Sequence, residues 1–148
     1  MLKFSKLVVI ASLVLGISLL ASERAHAGDD TPLLPDDIKI TCAVEPESFC
    51  GTWGDGKWSG VLPHTLVVDF IDPDGRVTFI YAWGVASEWR IYEAGFLYVE
   101  GRIEDGELTA ILPSGTKVSY THIDDGGLRG KYKNSRGTAQ IILARLTH

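Results

Sequence analysis

Residues 105–137 read DGELTAILPSGTKVSYTHIDDGGLRGKYKNSRG, and the punctuation of this stretch decides the fold. Turn signals fall at Asp105-Gly106, Pro113-Ser114-Gly115, Asp124-Asp125-Gly126-Gly127 and Asn134-Ser135-Arg136-Gly137, roughly ten residues apart. The runs between them are rich in β-branched and aromatic residues that alternate with polar ones, as half-buried strands do. No window carries the apolar stripe of a helix. Carried upstream past Asp72-Pro73-Asp74-Gly75, the same reading gives eight strands, at 52–58, 65–71, 76–83, 96–103, 107–112, 117–121, 128–133 and 138–146. Each follows its predecessor through a turn, except for a longer link between the third and the fourth. The expected fold is therefore all-β, an eight-stranded antiparallel up-and-down barrel, because closure removes the unpaired edges of a meander. A two-sheet β-sandwich is the alternative. At eight strands a barrel either fills itself with side chains or holds one small ligand.

Alternation assigns faces. Leu66, Val68 and Phe70 share one side of the second strand, and Val77, Phe79, Tyr81 and Trp83 one side of the third. Arg129, Lys131 and Lys133 lie opposite Leu128 and Tyr132 on the seventh, which reads as the solvated side of a strand, with an anion site as the other reading.

The barrel is preceded by two different segments. Lys3 and Lys6 lead into an apolar run from Leu7 to Leu20, followed by Ala25-His26-Ala27, the layout of an export signal cleaved after Ala27. As a helix the run would span about 21 Å, short of a bilayer core, which argues against an uncleaved anchor and for a secreted or periplasmic protein. Residues 28–50 then form an arm, of which 28–41, GDDTPLLPDDIKIT, lacks periodicity and reads as surface arm or linker. In an oxidising compartment Cys42 and Cys50 are expected to form a disulfide. Their seven-residue interval fits neither a redox pair nor a metal site. Residues 51–148 make up the barrel domain.

The chain of 148 residues is 45% hydrophobic with a net charge of −5. Removal of the signal takes away Lys3, Lys6, Arg24 and Glu23, leaving 11 basic and 18 acidic residues and a charge of −7. That acid excess disfavours nucleic acid as a partner.

Gly51-Thr52-Trp53 on the first strand and Leu143-Ala144-Arg145-Leu146 on the last resemble the pattern of the calycin superfamily, which includes lipocalins, fatty-acid-binding proteins and avidins. The resemblance implies that Gly51, Trp53 and Arg145 are structural, with the arginine packed on the indole at the closed end of the barrel. The chain lacks the helices that follow or lid the barrel in lipocalins and fatty-acid-binding proteins, and no biotin-contacting set can be aligned. The stretch with His64-Thr65-Leu66-Val67-Val68 and Ile80-Tyr81-Ala82-Trp83-Gly84 also resembles exported bacterial domains with a GTW, LVV and YAWG pattern, some of them beside hydrolase domains, which implies no activity.

Chemistry-bearing residues are few. His64, in the turn ahead of the second strand, reads as a capping histidine, or as a general base beside Asp55 or Glu88 in a small hydrolase. His122, in phase with Val118 and Tyr120, reads as a satisfied core or rim histidine, and His148 is terminal. The carboxylate pairs Asp72 and Asp74, Glu104 and Glu107, and Asp124 and Asp125 flank turns, where they cap backbone donors. No metal spacing, phosphate loop or nucleophile motif occurs, so no metal, cofactor or catalytic residue is expected. Aromatics are the stronger signal. Trp58, Tyr81, Trp83, Trp89 and Tyr92 cluster in the first half of the barrel, and the long link 84–95, GVASEWRIYEAG, sets Glu88 and Arg90 beside two of them. Together with His64 these are the candidate ligand-binding residues, since aromatic walls with a few polar tips suit a small molecule or a sugar. The expectation is a noncatalytic exported binding protein for a small apolar or amphipathic ligand or a glycan. The alternative is a protein-interaction module, either an inhibitor or an accessory domain to a hydrolase.

Overall fold

The computed structural model describes residues 30–147, so the expected export signal, its cleavage site and His148 lie outside the described residues. Eight antiparallel strands follow one another around a closed barrel: β1 Gly51–Trp58, β2 Leu62–Ile71, β3 Arg76–Trp83, β4 Gly95–Glu104, β5 Glu107–Ile111, β6 Lys117–His122, β7 Leu128–Asn134 and β8 Gly137–Leu146. β1 pairs with β8 as well as with β2, so the sandwich is excluded. The connections β1–β2, β3–β4, β5–β6 and β7–β8 gather at one end, here called the mouth. The other three connections and the segment ahead of β1 gather at the closed end.

Two local departures from simple alternation matter. Ser59 and Gly60 both have left-handed φ, 49° and 73°, and Val61 N donates to Trp58 O at 2.9 Å. This is the turn geometry that matches the twist of a hairpin, and it starts β2 at Leu62, so that His64 lies inside the strand rather than in a turn. Further along, the β2–β3 register shifts between Val68 and Phe70. The bulge breaks the period of two, and Phe70 is 44% exposed instead of sharing the inner face with Leu66 and Val68.

The barrel interior is filled. Trp53, Trp58, Leu66, Leu108, Val118, Tyr120, Leu128 and Leu143 are completely buried, with Val77, Phe79 and Tyr81 nearly so. A second, smaller core lies outside the barrel wall. Val67, Ile80 and Ala82 point outward from β2 and β3, yet Leu34, Ile38 and Ile40 of the arm and Phe96 of β4 cover them. The arm is held by Leu33 N on Trp83 O at 3.4 Å and by Thr41 N on Asp69 O at 2.8 Å, so it runs the length of β2 rather than hanging as a linker.

The Cys42–Cys50 disulfide is formed and ties the end of the arm to the start of β1. Residues 45–50 then fold under the closed end and Phe49 plugs it, its ring 4.4 Å from that of His122.

Candidate functional site

Three of the sequence-predicted site residues, Trp58, His64 and Tyr81, lie inside the wall. The His64 ring is sandwiched between Trp58 and Tyr81, with centroids at 5.3 Å and 4.2 Å. Its Nδ1 lies 2.8 Å from the Ala82 carbonyl oxygen, which can only accept, so Nδ1 carries the proton. Nε2, 2.8 Å from Tyr120 Oη, therefore accepts the phenolic hydrogen. Burial lowers the histidine to a pKa of about 3, a pull that the bond to Ala82 only partly opposes. Burial also pushes both Tyr81 and Tyr120 above the ordinary phenol range. His64 is thus a neutral core group, and both of its partners are non-carboxylate. The Trp58 indole N–H lies near the Tyr81 hydroxyl but meets no acceptor at hydrogen-bond geometry.

His122 sits at the closed end, on β6 against Phe49 and Trp53. Its Nε2 is buried without a hydrogen-bond partner, so it departs from the satisfied histidine expected there. Burial and then Arg145 lower its pKa, against a smaller opposing effect of Glu47. The turn carboxylates do what turns require: Asp72 Oδ1 accepts from Asp74 N and Arg76 N, and Asp125 Oδ1 from Gly127 N.

The remaining sequence-predicted residues belong to the long link at the mouth. It is built around a bridge and a single helical turn. Ala86 and Ile91 form an isolated antiparallel bridge, and between them Ser87–Trp89 makes one turn of 3₁₀ helix that ends with Arg90 in the left-handed region, at φ 57° and ψ 33°. Glu88 and Arg90, two residues apart and both exposed, make no ion pair with each other among the described residues. Trp83 leaves the strand end and donates from Nε1 to Glu93 O at 3.0 Å, anchoring the return of the link. Tyr92 is 69% exposed and stands apart.

The β3–β4 link and the β7–β8 hairpin lie on opposite sides of the ring of eight strands. They nevertheless meet, because the link crosses the mouth: Trp89 and Tyr132 have ring centroids 6.4 Å apart. Around this contact, link and hairpin line a cleft of about 580 Å³, with Glu88, Trp89, Arg90 and Ile91 from the link and Tyr132, Asn134, Arg136, Gly137, Thr138 and Ala139 from the hairpin. Tyr132 is the floor between the cleft and the filled interior, touching Trp58 below at 5.6 Å and accepting a hydrogen bond from Asn134 Nδ2 at 3.2 Å.

The hairpin half of this cleft is absent from the candidates read in the sequence, where Asn134-Ser135-Arg136-Gly137 counts only as a turn. The signal was present in the strand order: in an up-and-down barrel every second connection shares an end, which places this hairpin with the long link.

The architecture is thus a filled barrel with a disulfide-tied arm, a plugged closed end and an aromatic cleft across the mouth. Compared with family models, curated proteins and solved structures, the chain matches none. Among the described residues no group of His, Cys, Asp and Glu is arranged to hold a metal ion, and no helix is long and apolar enough to cross a membrane.

Proposed function

We propose that this is an exported, noncatalytic binding protein whose site is the mouth cleft, and that it takes a small amphipathic ligand or a glycan. The observation that carries this reading is the Trp89–Tyr132 pair, two tilted aromatic rings in contact that line an open cleft of about 580 Å³, a size suited to a small ligand. The filled interior moves the proposed ligand out of the barrel and onto its rim. Export is supported by the disulfide. Kinship with the calycin superfamily is supported by the Trp53–Arg145 contact, with 4.1 Å from the guanidinium carbon to the indole centroid.

Native mass spectrometry of the protein purified from its own compartment tests the reading. A retained small molecule that is lost in Trp89→Ala but kept in Tyr92→Ala is the expected result. Retention that ignores Trp89 would place the site elsewhere.

A second reading is a protein-interaction module, and the filled interior together with Tyr92 and Tyr98, 69% and 68% exposed, favours it. In the same experiment, a co-purified protein and no small molecule would decide for that reading.

A further inference from the structure

The charges of the barrel are unevenly placed on its surface. The chain carries 19 acidic residues against 14 basic ones. Around the mouth cleft and the outer wall of β6–β8 beside it, the balance reverses. The cleft continues around the β7–β8 hairpin into a groove of about 370 Å³, since the two share Tyr132, Thr138 and Ala139. Their walls hold five cations, Arg90, Arg136, Lys117, Lys131 and Lys133, and two carboxylates, Glu88 and Glu107. The turns of the opposite end carry acids at residues 72–74, 104–105 and 124–125, interspersed with Arg76, Arg102 and Arg129.

This arrangement works against folding. Lys117 and Lys133 are directly opposed across β6 and β7, a pairing that costs stability where nothing neutralises it. Among the described residues none of the five cations joins an ion pair, the pair that does form being Arg102–Glu104 far from the mouth. Arg90 additionally sits in a backbone region that a side-chain-bearing residue rarely occupies. Unpaired like charges at one rim are a feature that an external anion would offset.

The surroundings narrow the anion. The interior is filled, so no apolar slot receives a long acyl chain. The cleft instead offers two aromatic faces, Trp89 and Tyr132, with the Asn134 amide, the Thr138 hydroxyl and the Glu88 carboxylate around them. Aromatic faces stack on the C–H faces of sugar rings, amide and carboxylate groups bond ring hydroxyls, and guanidinium groups take carboxylates or sulfates through paired N–H donors.

We propose that the mouth binds an acidic saccharide, one ring lying on Trp89 and Tyr132 with its anionic group between Arg90 and Arg136, and the following rings passing onto the groove of Lys117, Lys131 and Lys133. The proposal rests on the mouth cleft being the binding site and adds the charge, the class and the direction of the ligand.

The test titrates the protein, by calorimetry and tryptophan fluorescence, with tetragalacturonate, a heparin-derived tetrasaccharide, methyl-esterified tetragalacturonate and phosphatidylglycerol vesicles. Binding of at least one acidic saccharide, weakened by salt and roughly tenfold by Arg90→Gln or Arg136→Gln, is expected. Lys133→Gln should lower affinity for the tetrasaccharide more than for the matching disaccharide. Equal binding of the acid and its methyl ester, abolished by Trp89→Ala, overturns the acidic ligand and leaves the cleft intact. Binding to the vesicles alone, or to none of the four, also overturns it. Acid binding that ignores Trp89, Arg90 and Arg136 overturns both the ligand and the site.

Discussion

Trp53 and Arg145 are cross-strand partners where β1 meets β8, and the arginine reaches over the indole into the segment ahead of β1. Its Nη1 donates to Cys50 O at 2.6 Å, and Nη2 to Ser48 O at 2.7 Å and Glu45 O at 3.0 Å. Trp53 Nε1 donates to Phe49 O at 2.8 Å, so both members of the pair hold the same loop. Gly51 makes room: its φ is +112°, and a Cβ there would lie 3.0 Å from Arg145 Nη1. A lysine can cover the indole but cannot spread over three carbonyls. Arg145→Lys is expected to lower stability by about 2 kcal/mol, read as a fall in the urea midpoint at unchanged slope.

This corner shows what a sequence can and cannot display. The Gly-x-Trp and the terminal arginine are visible because strand order alone brings the first and last strands together. The three carbonyls are invisible, since any residue supplies one and only the fold of residues 45–50 aims them.

The disulfide closes that same segment. Cys42 and Cys50 are eight residues apart, and constraining such a loop in the unfolded chain is worth about 2.5 kcal/mol. The double variant Cys42→Ser, Cys50→Ser should lose about that much in the same denaturation assay and free the arm. Faster hydrogen exchange of Thr41 N–H, which bonds Asp69 O, is the local signature.

The arm itself is a part of the core. Ile38 is half-buried against the outward side chains Val67, Ile80 and Ala82. Ile38→Asp puts a charge on that apolar surface and is expected to cost about 2 kcal/mol, with increased binding of a hydrophobic dye. If stability and dye binding are both unchanged, the arm does not cover the wall in solution. The sequence held a sign of this contact. Leu66-Val67-Val68 and Phe79-Ile80-Tyr81-Ala82-Trp83 are continuous apolar runs, which a strand with one wet face does not need. Leu34, Ile38 and Ile40 of the arm cover them, yet their irregular spacing hides the match because an arm with no repeating hydrogen bonds has no period.

At the mouth, stability and binding pull apart at Arg90. Its left-handed backbone, φ 57°, costs about 1 kcal/mol for a residue with a Cβ, and a glycine there would relieve it while adding chain entropy to the unfolded state. Arg90→Gly is therefore expected to be neutral or about 0.5 kcal/mol more stable by thermal unfolding, while losing affinity for the ligand retained by the wild-type protein. A variant that is clearly less stable would mean that the arginine is held there for the fold.

The buried histidine sets a pH limit on the whole barrel. In the folded chain His64 stays neutral down to about 3, because burial penalises the imidazolium more than the hydrogen bond to the Ala82 carbonyl favours it. In the unfolded chain an imidazole takes up its proton near 6.5. Between these values the unfolded state binds a proton that the folded state does not, so stability is fully present above about 6.5 and falls as the pH drops toward about 3. The gap corresponds to roughly 4 kcal/mol over that window. His64→Gln retains an amide donor and acceptor but cannot titrate, so its stability should fall less steeply from pH 6.5 to pH 4 than that of the wild type. His122, whose pKa is also lowered, titrates in both proteins and cancels in the comparison. Urea unfolding of the two proteins at half-unit pH steps reads the difference, and parallel curves would show that His64 is not held neutral by the core.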